Sequence, residues 1–292
     1  MSRAHINNVQ LFAVTPSGPQ VLPVPPTATS FDDLYGGLAL GVYSALRTFA
    51  HEKFLYLQEH IDRTKRSMVL LGWQFELDET LLRQTLHMVC AAYPESEMRV
   101  RFDVLAEPAA ALGTDSRVLV ALMPFTPPPP IMYEQGVAVS VTRELVRRQP
   151  LVKNADFALR RRQHSPGAGV YETILLSENG RLLEGATTNF YAVKNGVVYT
   201  AGDGVLEGIT RRIVLELLPG LNIPVRLEAV TLADAPTLDE AFLSGSSRAV
   251  LPVVRIGETP VGSGFPGPVG RRLLIAYNDF VARTIRLAVK GD

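Results

Sequence analysis

Glu184-Gly185-Ala186-Thr187-Thr188-Asn189-Phe190-Tyr191 is the stretch on which the reading of this chain turns. A carboxylate opens it, a glycine and small residues follow, and an apolar-aromatic run closes it as a strand would. Lys153 stands 184 − 153 = 31 residues upstream, after Gln149-Pro150-Leu151-Val152. The chain has five lysines, Lys53, Lys65, Lys153, Lys194 and Lys290. Four have ordinary settings. Lys53 sits in a polar tip between two strand-like runs, and Lys65 lies one turn from Asp62 on an amphipathic helix. Lys194 precedes the turn pair Asn195-Gly196, and Lys290 is near the C-terminus. Lys153 has no such setting. A lysine can form an imine with a carbonyl, and a carboxylate can hold a ring nitrogen protonated.

Size and composition bound the rest. The 292 residues are 47% apolar and 20% charged, which implies a globular chain with a substantial core. Formal net charge is zero, so no bulk field favours nucleic acid or anionic lipid. One cysteine, Cys90, excludes an internal disulfide and reads as a small buried hydrophobe on a helix. The five histidines are dispersed without metal-ligand spacing, so no metal is expected. No run approaches the ~20 apolar residues of a membrane span, and the N-terminus lacks an apolar signal core. These features lead us to expect a soluble, cytoplasmic protein.

Pro127-Pro128-Pro129-Pro130, after Pro124-Phe125-Thr126, suggests a linker at 124–130. It would divide a small N-terminal α/β domain, 1–123, from a larger, strand-richer domain, 131–292. In the first, strands are expected at Val9–Val14, Leu40–Thr48, Phe54–Leu57, Arg99–Leu105 and Arg117–Met123. Helices are expected at Leu57–Leu71, stopping at Gly72, and from Asp78 to about Ala92. In the second, strands are expected at Gly136–Thr142, Val170–Leu176, Asn189–Val193, Val197–Thr200, Val225–Val230, Ala241–Leu243 and Val250–Ile256. Asn179-Gly180 and Asn195-Gly196 are hairpin-turn signals. Helices are expected at Ala155–Gln163, Thr210–Leu218 and Val269–Val289. The class is α+β.

Three further segments can meet a phosphate. Gly208-Ile209-Thr210-Arg211 opens a helix whose free N–H groups and dipole suit an anion; the alternative is an ordinary capped helix. Ser244-Gly245-Ser246-Ser247 follows a strand and offers hydroxyl and N–H donors; the alternative is a simple turn. Glu59-His60-Ile61-Asp62-Arg63 places an arginine on a helix; the alternative is a surface arginine paired with Glu59. Gly262-Ser263-Gly264-Phe265-Pro266-Gly267 fits G-x-G-x-x-G. It lies too near the C-terminus for a βαβ unit to follow, so a dinucleotide site is rejected.

Taken together, these pieces resemble the fold-type-IV, or class IV, pyridoxal-phosphate enzymes. That group includes branched-chain and D-amino acid aminotransferases and aminodeoxychorismate lyases. The resemblance spans about Leu34 to Val281 and implies a two-domain fold with pyridoxal 5'-phosphate as cofactor. By resemblance, Lys153 would hold the cofactor covalently and shuttle the proton. Glu184, in E-G-x-x-x-N-[FL], would pair with the pyridine nitrogen. Arg63, in E-H-x-x-R, would bind the phosphate, with Ile209 and Thr210 of L-x-G-I-T-R. Leu206 would pack on the ring, and Ser246 and Ser247 would complete the phosphate cup. Tyr43, in Gly41-Val42-Tyr43, matches the aromatic pocket residue. Arg47 and Arg101 are candidates for a substrate carboxylate or for structural ion pairs. The implied activity is amino transfer between an amino acid, of branched-chain or D-type, and a 2-keto acid. The alternative is a 4-amino-4-deoxychorismate lyase-type reaction releasing pyruvate. A homodimer is implied.

The chain departs from the family pattern in its substrate half. Ser44 stands for the usual glutamate after the pocket aromatic. Phe157 and Ala158 stand where branched-chain enzymes place a tyrosine for the cofactor's ring hydroxyl. The 106–113 loop lacks the arginine and histidine of the D-amino acid enzymes. Arg99 stands where the branched-chain pattern has tyrosine.

Overall fold

A computed structural model describes residues 8–164 and 166–287. Its backbone groups into two compact units. One comprises the described residues up to Thr126, together with Val152–Leu159 and Ile285–Leu287; the other comprises Pro127–Leu151 and Arg160–Thr284, of which residue 165 is not described. The segment bearing Lys153 therefore belongs with the N-terminal elements.

The first unit is built on a six-stranded antiparallel sheet. Its strands are β1 (Gln10–Thr15), β2 (Gly18–Val21), β3 (Val42–Phe49), β4 (Lys53–Phe54), β5 (Met98–Val104) and β6 (Val118–Pro124), in the order β2-β1-β6-β5-β3-β4. Strand alternation sorts the side chains to two faces. Leu46, Val100, Phe102, Val120 and Leu122 pack with α1 (Leu57–Leu70) and α2 (Glu79–Ala91). Leu11, Ala13, Leu119, Ala121 and Met123 pack on the other side, with Phe31, Leu34 and Tyr35. Asp78 caps α2, accepting from Leu81 N at 2.9 Å, and Gly72 takes the left-handed φ of +71° just past α1. Phe54–Leu57 is only briefly a strand, because Leu57 already opens α1. The short β2 was not expected; Gly18 turns the chain back at φ +110°. Cys90 is buried in the core, and burial pushes its thiol up to about 12.

In the second unit the strands are β7 (Val137–Thr142), β8 (Glu172–Leu176), β9 (Leu182–Gly185), β10 (Asn189–Lys194), β11 (Val197–Tyr199), β12 (Val225–Arg226), β13 (Glu240–Gly245), β14 (Ala249–Ile256) and β15 (Thr259–Pro260). The path β10-β13-β14-β7-β8-β9 closes on itself where β9 meets β10 at Glu184 and Asn189. Apolar residues such as Val139, Ile174, Phe190, Leu243 and Leu251 form the core of the unit. Helices α3 (Pro130–Gln135), α5 (Ile209–Gly220) and α6 (Pro268–Leu287), the last as far as Thr284, belong here, while α4 (Ala155–Arg162) starts in the first unit.

Three local expectations are corrected. Pro130 is the first residue of α3, where a missing N–H is harmless, so the last proline of the run starts a helix. Asn179-Gly180 leads from β8 into β9, a strand absent from the sequence reading, and not directly toward β10. The run Val225–Val230 is a strand only over Val225–Arg226. Asn195 and Gly196 do form the expected two-residue hairpin, both at positive φ, between Lys194 and its partner Val197. The end of the last expected helix, 288–289, and Lys290 lie outside the described residues.

Candidate active site

The candidate residues fall into two clusters, one in each unit. In the first, the Lys153 segment is joined to the end of β3. Tyr43 N donates to Lys153 O at 3.0 Å, and Ala155 N donates to Gly41 O at 2.9 Å. Gly41 lets this run lie against β5, since a Cβ there would sit 1.9 Å from Val104 O. Asn154 Oδ1 accepts from Asp156 N at 2.7 Å and caps α4 directly after Lys153. Lys153 N donates to Ser67 Oγ at 3.3 Å, and its Nζ stands 4.8 Å from the centroid of the Tyr43 ring. Ser67 in turn donates to Arg63 O at 2.8 Å. Lys153, Tyr43 and Arg63 are thus neighbours in one framework.

Arg63 is only 5% exposed, not a surface arginine. Its Nη2 donates to Ser44 Oγ at 2.7 Å, and Ser44 Oγ is 2.9 Å from His60 Nδ1. Burial, with the positive charges of Arg63 and Lys153, pushes the His60 imidazole well below its usual range. A neutral His60 can accept the Ser44 proton at Nδ1. Ser44 and His60 therefore fix the arginine without adding charge.

Arg101 and Arg47 sit on the opposite face of the same sheet. Arg101 donates to both oxygens of Asp103 at 2.7–3.1 Å and to Asp32 at 2.7 Å. Its guanidinium also lies 4.0 Å from the Tyr43 ring centroid and 4.4 Å from that of Tyr35. Tyr35 donates to Asp103 at 2.5 Å, and burial first, then the Asp103 charge, raises the Tyr35 hydroxyl well above its usual range. Arg47 lies between the rings of Phe49 and Phe125, 3.6 Å from Glu97. These surroundings support the ion-pair alternative for both arginines.

The second cluster gathers around Asn189. Its Nδ2 donates to Leu206 O at 2.8 Å, while Leu206 N donates to Glu184 Oε2 at 3.1 Å. Leu206 is thereby held at both backbone groups. Glu184 is 2% exposed, and its Oε1 accepts from Arg147 Nε at 2.6 Å. Gly208 is the N-cap of α5 and makes no side-chain cap, so Ile209 and Thr210 occupy the first turn with its open N–H groups. Its Cβ, if present, would lie 2.2 Å from Asn189 Oδ1. Asn189 also pairs with Ser244 on β13, and Ser246 and Ser247 lie in the turn that follows. Tyr191 Oη meets Ser244 Oγ at 3.0 Å.

Ser44, His60, Ser67, Asn189 and Arg147 were not assigned roles from the sequence. His60 and Asn189 lie inside the quoted motifs, so the signal was present for those two. Nothing local marks Ser67 or Arg147, which matter through contacts made across long stretches of chain. The glycine-rich 262–267 run also finds its use. Glu240, not a phosphate, occupies the start of α6, accepting from Val269 N and Gly270 N at 2.9 Å each. A Cβ on Gly267 would strike the Glu240 carboxylate at 2.1 Å.

Residues 41–256 match the family model for amino-transferase class IV. A Thermotoga maritima protein named a probable branched-chain-amino-acid aminotransferase is 31% identical over 251 residues, covering 82% of this chain and 86% of its own. A D-alanine aminotransferase of Staphylococcus haemolyticus is 37% identical, over 34% of this chain and 36% of its own. The crystal structure of a Thermotoga maritima protein assigned as a branched-chain amino acid aminotransferase superposes with TM-score 0.74, at 27% identity, covering 94% of this chain and 96% of that one. A T.th. branched-chain amino acid aminotransferase solved with pyridoxamine 5'-phosphate shares the fold, with TM-score 0.73 at 23% identity over 92% of this chain and 93% of that one. With its Lys153 and Glu184 motifs set in these two units, the chain belongs to the class IV aminotransferases.

Proposed function

We propose that this chain moves an amino group between an amino acid and a 2-keto acid with pyridoxal 5'-phosphate held by the residues above. The observation that carries the reading is the content of the two clusters. One holds a buried arginine and a lysine amine that stands 4.8 Å from the Tyr43 ring; the other holds a buried carboxylate and an uncapped helix start. A phosphorylated pyridine aldehyde needs those four features: a cation and N–H donors for phosphate, an amine for the aldehyde, and a carboxylate for the ring nitrogen. The residues fit the group.

When bound, the cofactor supplies an electron sink for the bond broken at the substrate Cα. Lys153 Nζ would hold it covalently and, as a free amine, would move the Cα proton as general base and acid. Glu184, ionised, would keep the ring nitrogen protonated. Arg63, Ile209, Thr210, Ser246 and Ser247 would hold the phosphate, and Leu206 would pack on the ring. Tyr43 lines the substrate pocket. The named relatives favour branched-chain donors, since those matches run along most of the chain, whereas the D-alanine match covers about a third. A homodimer and action in the cytoplasm complete the proposal. They are supported by the family resemblance.

The test is the visible spectrum of the protein with pyridoxal phosphate, before and after a panel of L- and D-amino acids. Conversion of the cofactor to its aminated form by L-branched-chain donors is expected; Lys153→Ala should abolish the covalent band and turnover. Pyruvate and an aromatic amine released from aminodeoxychorismate, with no keto-acid acceptor, would instead assign the lyase reaction. Full turnover by Lys153→Ala would overturn the assignment.

A further inference from the structure

Glu184 is a buried carboxylate with both oxygens engaged inside one unit, Oε1 by Arg147 Nε at 2.6 Å and Oε2 by Leu206 N at 3.1 Å. A carboxylate removed from water tends to take up a proton unless an opposite charge or donated hydrogen bonds hold the ionised form. A protonated Glu184 could not hold a ring nitrogen protonated by charge. We propose that Arg147 is the positioning residue for Glu184, keeping it ionised and aimed. This rests on the reading of Glu184 given above and adds a residue to it.

The setting of Arg147 supports a fixed partner. Its side chain is 9% exposed, although it lies in a stretch without helix or strand. Leu145, 1% exposed, anchors that stretch two residues before it. Arg160 Nη1 on α4 donates to Val146 O at 3.2 Å and holds the backbone immediately before it. On the Glu184 side, β9 is the strand that closes the barrel, paired to β8 and to β10. The nearest carboxylate on β8 is Glu172, which accepts from Thr187 N at 3.2 Å and from the Thr187 and Thr188 hydroxyls. Glu172 is thus satisfied by hydroxyls and an amide, and the guanidinium serves Glu184. A charge-assisted bond of this length between two ordered side chains sets direction as well as charge.

The test begins with the cofactor-free protein, where nothing depends on turnover. Thermal midpoints are measured for wild type, Arg147→Met, Glu184→Gln and the double variant. Arg147→Met should melt several degrees lower at neutral pH. Most of that loss should disappear in the Glu184→Gln background, and the deficit should narrow as the pH is lowered, because a protonated carboxyl no longer needs the guanidinium. Equal losses in both backgrounds would overturn the pairing. In the loaded enzyme the donor half-reaction of Arg147→Met should slow, with its acid limb displaced upward by about one pH unit or more. Arg147→Lys should recover part of the rate. An unmoved limb would overturn the positioning role even if the midpoints couple. A wild-type half-reaction in Glu184→Gln would instead sink the reading of Glu184 at the ring nitrogen, while the cofactor-free midpoints still decide the pair.

Discussion

Arg101→Met separates a structural arginine from a substrate-binding one. The guanidinium makes three contacts to Asp103 and one to Asp32, and its side chain is 3% exposed. Removing one member of a buried ion pair costs about 3–5 kcal/mol, because the remaining charge stays out of water. Here Asp103 would keep only the Tyr35 hydroxyl, and Asp32, itself mostly buried, would lose its short contact. Stacking of the guanidinium against Tyr43 and Tyr35 adds about 0.5–1 kcal/mol per ring. For domains of this size 1 kcal/mol moves the melting midpoint by about 2–4 °C. With both terms, about 4–7 kcal/mol, the expected fall is roughly 8–28 °C.

The assay is calorimetry or circular dichroism on cofactor-free protein, with Arg101→Lys and Asp103→Asn alongside. Lysine keeps the charge but not the fork, so Arg101→Lys should fall between wild type and Arg101→Met. Arg101→Met and Asp103→Asn together should cost less than the sum of the two alone, because each removes the same pair. The reasoning is refuted if Arg101→Met melts with wild type while KM for the amino and keto acids rises and kcat holds. Such a result would return Arg101 to the substrate carboxylate.

The remaining predictions concern the two clusters. His60 is held neutral in the fold, with its pKa below the unfolded value of about 6.5, so the unfolded chain binds the proton more readily. Stability should fall as the pH drops below that value, by up to about 1.4 kcal/mol per pH unit, and His60→Gln should flatten the slope in urea titrations between pH 7 and 5; an unchanged slope would refute the assignment. Gly208→Ala has permissible backbone angles, φ −67° and ψ 141°, so its cost is steric, from a Cβ 2.2 Å from Asn189 Oδ1. A loss of about 1–3 kcal/mol is expected, with faster cofactor loss on dialysis, and Asn189→Ala should partly relieve the clash; wild-type retention and melting would show that Asn189 does not hold this loop.

Much of the fold was legible because local rules and long-range packing agreed. Asp78 before an apolar helical repeat, Gly72 after another, and Asn195-Gly196 between two apolar runs each fix the backbone by themselves. Where they disagreed, the reading missed. Leu182–Gly185 is four residues long and carries Glu184, so neither length nor alternation marks it as a strand; its pairing with β8 and β10 makes it one. The proline run suggested a single boundary, yet Val152–Leu159 belongs with the N-terminal elements through backbone bonds to Gly41 and Tyr43. Such bonds join residues more than 100 positions apart and leave no periodic trace.

The same division explains why the residues proposed for the cofactor fall in recognisable motifs and those proposed for the substrate do not. Groups that bind phosphate and ring nitrogen are short linear motifs, because one helix start or one strand end supplies several contacts at once. Their precision, however, depends on neutral polar neighbours. Ser67 meets the Lys153 backbone, Ser44 and His60 fix Arg63, and Asn189 grips Leu206. Ser67 and Asn189 fix backbone, while Ser44 and His60 orient a charge without cancelling it, as a carboxylate could not. Ser44 is the clearest instance: a hydroxyl that accepts from Arg63 and can donate to a neutral His60 holds the guanidinium while leaving its net charge intact.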